Sequence, residues 1–147
     1  MANIEHVTDA EIAPLAAQAR AFLTQQRWVQ RIIGEQLGYA VPSAFGIFQF
    51  TIEPTHADIP TQLWVVAGDL PPAYFAGDDD PTWQAALDSY IYQMQRWIDA
   101  ARRGEPVQDL IPVDVAPTPA HADLLAARLE ILRRAVTDGR DAAARDA

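Results

Sequence analysis

Phe45-Gly46-Ile47-Phe48-Gln49-Phe50-Thr51-Ile52-Glu53 is the stretch on which the fold turns. Phe48, Phe50 and Ile52 fall on one side of an extended chain; Gln49, Thr51 and Glu53 fall on the other. A period of two in aromatic and β-branched residues predicts a half-buried strand. Pro54 to Pro60 reads as a loop. Leu63-Trp64-Val65-Val66-Ala67 is apolar on both sides, the pattern of a more central strand. Gly68-Asp69-Leu70-Pro71-Pro72 then turns the chain into a short third strand, Ala73-Tyr74-Phe75-Ala76. Short links between successive strands predict antiparallel pairing.

Helical periodicity flanks this block on both sides. Upstream, Leu15, Ala19, Phe22, Val29 and Ile33 recur at helical steps, which predicts one amphipathic helix to about Leu37 with Gly38 as its stop. Thr8-Asp9-Ala10-Glu11 has the form of a capping box. Pro14 would remove a hydrogen bond from a helix begun at Asp9, so the expectation is a short turn first or a start near Ala13. Downstream, Asp80-Pro81 reads as an N-cap followed by a first-turn proline. Trp83, Leu87, Tyr90, Met94, Trp97 and Ala101 keep to one face of that helix, and Gly104 closes it. Thr118-Pro119 repeats the start signal for a last helix carrying Leu125, Leu129, Leu132 and Val136, with Gly139 as its end. Leu110 to Val115 is a candidate edge strand. The expected architecture is a two-layer α+β domain over residues 1–139. Three main helices cover a small antiparallel sheet of about three strands with a possible extra edge strand, and residues 140–147 form a flexible tail.

Composition removes several chemistries. The chain of 147 residues has no cysteine and no lysine, and its eleven basic residues are all arginine. Disulfides, thiolate metal sites and Schiff-base chemistry are therefore impossible. Ser43 and Ser89 are the only serines, and neither lies in a nucleophile elbow. A formal net charge of -9 argues against a grip on nucleic-acid phosphates, which needs a basic footprint. No apolar run is long enough to span a bilayer. The first residues lack the basic and apolar regions of a signal peptide, so the expected location is the cytoplasm. No cofactor and no metal are expected. Asp78-Asp79-Asp80 lacks the spacing that gathers carboxylates on a cation and reads as a solvated turn. His6, His56 and His121 show no metal or catalytic spacing, although His56 lies near Glu53 and Asp58.

Two groups of residues stand out as binding candidates. The first is Asp69 and Tyr74, with Trp64, which would frame a pocket at the end of the sheet; the plainer reading is a Gly-Asp-Pro turn. The second is Arg27, Trp28 and Arg31. On a helix running to Leu37 these would form, with Arg20, a basic ridge edged by tryptophan, a combination typical of interface anchors. Leu124 and Ile131 lie off the main apolar stripe of the last helix and hint at a homodimer.

The run Trp64-Val65-Val66-Ala67-Gly68-Asp69-Leu70-Pro71, followed by Tyr74, resembles a family of small bacterial proteins of unknown function with a W-V-x-G-D-L-P-x-x-Y core motif. The resemblance covers about Leu63 to Val136, with Gly68, Asp69, Pro71 and Tyr74 as matching positions. It implies bacterial origin and an α+β fold and brings no catalytic assignment. The functional expectation is a non-catalytic bacterial protein–protein interaction domain, of the immunity-protein or chaperone-like kind. The alternative is a small enzyme or small-ligand binder with a pocket around Asp69 and Tyr74.

Overall fold

A computed structural model of the chain describes residues 9–146. Met1–Val7, His6 among them, and Thr8 of the expected capping box lie outside the described residues. The elements run α1 (Asp9–Thr24), β1 (Val29–Val41), β2 (Phe45–Pro54), β3 (Gln62–Gly68), β4 (Ala73–Ala76), α2 (Trp83–Arg103) and α3 (Pro119–Asp146). The four strands form one antiparallel sheet in the order β1-β2-β3-β4. Among the described residues this is the α+β class expected, with three helices and one small sheet. The described chain groups into two compact units that divide between Ala86 and Leu87.

In the first unit the period-two pattern of β2 works as read. Phe48, Phe50 and Ile52 join Leu63, Val65 and Ala67 of β3 in a core closed by Leu15, Ala16, Ala19 and Leu23 of α1. These side chains are all 5 % exposed or less. Burying a large aliphatic or aromatic side chain is worth about 1.5–3 kcal/mol, so this layer is a main source of the unit's stability. The opposite sheet face is divided. Tyr39, Phe45, Ile47, Trp64 and Val66 are buried there, whereas Arg31, Gln36, Glu53 and Gln62 are exposed. The Tyr39 ring stacks on Trp83 at 4.5 Å between centroids.

The stretch Gln25–Val41 departs from expectation. The first helix ends at Thr24, and residues 29–41 form an edge strand instead of continuing it. Register shifts interrupt β1 between Val29 and Arg31, Ile32 and Gly34, and Leu37 and Tyr39. Each inserts one extra residue, so the side chains on the α1 side are Val29, Ile32, Glu35, Leu37 and Ala40. The helical reading joined Val29, Ile33 and Leu37 at four-residue steps, but the second shift skips Ile33 and leaves it 56 % exposed, so that spacing is an accident of a bulged strand. Gly34, inside the supposed helix, and the β-branched Val29, Ile32 and Ile33 argue for the strand. The fourth strand is thus β1; Leu110–Val115 lies outside every strand.

Helix ends show smaller corrections. α1 begins at Asp9 and holds Pro14 within it; as the sixth helical residue it forgoes the bond to the Ala10 carbonyl, a cost the helix bears without ending. The N-cap of α2 is Thr82, whose Oγ1 accepts the Ala85 amide at 3.1 Å, so Asp80 lies two residues before the cap. Thr118 caps α3 as expected, its Oγ1 accepting the His121 amide at 3.2 Å. α2 stops before Gly104, which takes a φ of 71°. α3 does not stop at Gly139 but runs through it to Asp146.

In the second unit α2 and α3 pack antiparallel. Arg102 pairs with Asp123 at 2.9 Å and Arg133 donates to the Gln95 side-chain oxygen at 2.8 Å. Leu125, Leu129, Leu132 and Val136 are buried, and Leu124 and Ile131 are exposed. Among the described residues no helix is long and apolar enough to cross a membrane.

Candidate functional site

The segment from Trp64 to Tyr74 splits into two halves. Strand pairing sets Val65 opposite Tyr74 and Trp64 opposite Phe75. Paired residues share a face and successive residues alternate, so Tyr74 lies on the α1 side of the sheet and Trp64 on the other. Trp64 is buried, and its indole donates to the Asp80 carbonyl at 2.7 Å, tying β3 to the segment before α2. The structure therefore does not bring Trp64 and Tyr74 into one pocket. His56 lies in the loop before β3 and Asp69 in the loop after it, about 20 Å apart along a strand of this length.

Gly68-Asp69 is a junction. Gly68 has a φ of 137°, which an L side chain rarely adopts. A Cβ there would fall 2.6 Å from Phe45 Cα and inside the shell of the Ala44 carbonyl oxygen. That close approach lets the Asp69 amide donate to the same Ala44 oxygen at 2.9 Å. The Gly-Asp pair locks the end of β3 onto the β1–β2 turn.

Tyr74 does something different. It is 41 % exposed on the short edge strand β4. Its ring meets Trp28 edge-on at 5.0 Å and Phe22 at 6.1 Å. Trp28, in the link between α1 and β1, and Phe22, on the last turn of α1, are half-buried against the core beneath. Each such ring pair adds about 0.5–1.5 kcal/mol beyond its burial and fixes the ring it touches. The three rings, from α1, the link and β4, form a firm aromatic rim with Tyr74 at its outer edge. Two candidates from separate groups, Trp28 and Tyr74, thus meet; Phe22, read only as part of a helical stripe, is the third member.

The arginine ridge does not form. Because the helix ends at Thr24, Arg27 falls in the turn and Arg31 on β1, so no helical arc holds them with Arg20. Arg31 pairs with Glu53 of β2 at 2.7 Å. Arg20 pairs with Glu35 of β1, whose hydrogen bond and charge hold the guanidinium above its ordinary range. Both pairs are solvent-exposed. Among the described residues no three His, Cys, Asp or Glu side chains gather as a metal site, and no buried side-chain nitrogen or oxygen lacks a hydrogen-bond partner.

No protein-family model, curated protein or solved structure matches the chain. The class it falls in is defined by its own geometry: an α+β protein with an open antiparallel sheet, a locked Gly-Asp junction and an aromatic rim on an edge strand.

Proposed function

We propose that the chain is a non-catalytic bacterial protein–protein interaction domain, acting in the cytoplasm in the manner of a toxin-neutralising immunity protein or a secretion chaperone. One observation carries the reading: Tyr74 stands exposed on an edge strand while its ring is braced by Trp28 and Phe22. A braced aromatic loses little conformational freedom on docking, which is why tyrosine and tryptophan dominate binding hot spots. The W-V-x-G-D-L-P-x-x-Y resemblance fits this reading, since Tyr74 closes the motif. Leu124 and Ile131, one heptad apart and exposed on α3, are the place to look for self-association.

The test is co-purification of the tagged chain from its native host, with Tyr74→Ala alongside. The expected result is a stable complex with a protein encoded beside this chain, lost in the variant. Recovery of the bare chain in both cases would contradict the proposal.

A further inference from the structure

The sequence holds no lysine or arginine between Arg31 and Arg96. Strands β2, β3 and β4 and all their connections fall in that interval, with His56 as the one imidazole among them. In the first unit Arg31 is on β1, Arg20 is held by Glu35 of β1, and Arg27 lies beside Trp28 in the link before β1. Three strand spacings from Arg31, about 14 Å, β4 is bracketed in sequence by carboxylates. Asp69 lies before it and Asp78 and Asp79 after it, all exposed. Residues 1–86 carry ten carboxylates against three arginines, and two of those arginines are spent on ion pairs with Glu35 and Glu53. The unit is therefore electrically lopsided, and around Tyr74 the exposed carboxylates Asp69, Asp78 and Asp79 outnumber the one neighbouring arginine, Arg27.

We propose that the β4 edge is a docking surface for a cationic segment of another protein, with an apolar side chain of that segment seated on the Tyr74–Trp28–Phe22 rim. The proposal rests on the interaction-domain reading and names the chemistry of the partner. Complementary charge raises the encounter rate and repels acidic competitors; the aromatic rim supplies the short-range contact. An arginine side chain suits both demands, since its planar cation pairs with carboxylates and stacks on aromatic rings.

The probe is a short peptide of alternating arginine and leucine, with a control in which glutamate replaces arginine. Both are titrated into the isotope-labelled full chain and followed by amide chemical shifts. The arginine peptide is expected to perturb residues 69–79 together with Phe22 and Trp28. Its affinity should weaken by about tenfold or more in Asp78→Asn/Asp79→Asn and with added salt, and the glutamate peptide should not bind. Both aspartates are exposed turn residues, so the double variant is expected to fold as the parent does. Equal binding of the two peptides, no binding of the arginine peptide, or perturbation of a different surface would overturn the proposal. Salt-sensitive self-assembly abolished by Arg27→Glu/Arg31→Glu would also overturn it, by making a second copy the occupant. If Tyr74→Ala still loses the native partner while the peptides show no preference for charge, the interaction-domain reading stands and this inference alone fails.

Discussion

Gly68 and Tyr74 are six residues apart in one short motif, yet they do opposite work. Gly68 is pressed against the Ala44–Phe45 backbone in a conformation that excludes a side chain, and the Asp69 amide completes the lock. Tyr74 lies on an edge strand with much of its ring in solvent. The difference teaches that a compact motif need not be a single site. Its first half fixes the geometry of β3 and the β1–β2 turn, and its second half uses that fixed frame to hold a ring outward.

The contrast can be broken most forcefully at Gly68. Gly68→Ala combines a strained φ with a backbone clash, so it should lower unfolding free energy by roughly 2–5 kcal/mol. Urea denaturation measures this; a loss below about 0.5 kcal/mol would mean that the junction is not rigid.

A second test compares tyrosines. Tyr90 on α2 is fully buried, and burial pushes its phenol well above the ordinary tyrosine range. The folded state keeps the proton, whereas the unfolded chain releases it near pH 10. The stability tied to Tyr90 is therefore intact below about pH 10 and falls as pH rises further, by up to about 1.4 kcal/mol per pH unit. Denaturation of the parent and Tyr90→Phe from neutral to alkaline pH should show the steeper decline in the parent. Equal slopes would remove the burial argument.

The smallest effect is expected on the β1 side. A double-mutant cycle on Arg20 and Glu35 should give a coupling below about 0.5 kcal/mol, because both groups are solvent-screened. A coupling of several times that size would make the ion pair a main fastener of α1 and blur the distinction between frame and surface.

Much of the fold was legible. β2 and β4 were read to within a residue of their observed ends, because a two-residue period survives wherever the strand is regular. α2 and α3 were legible from buried stripes and from Gly104, although only Thr118 acts as the cap expected. β1 was not legible, since three bulges broke its alternation and nothing like proline or glycine marked the turn at Gln25–Trp28. The candidate site was half legible for the same reason. Tyr74 and Trp28 were singled out separately, but their meeting depends on the chain leaving α1 at Thr24, which the bulged strand concealed. Trp64 was grouped with Tyr74 by proximity in sequence, a grouping that strand parity undoes.

The most direct measurement pairs unfolding and binding on Tyr74→Ala. Loss of the ring gives up two ring contacts and should lower the unfolding free energy by about 1–3 kcal/mol while the chain stays folded, and affinity for the co-purifying partner falls about tenfold or more. A collapsed midpoint with undiminished affinity would contradict the account, because Tyr74 would then belong to the frame and not to the surface it presents.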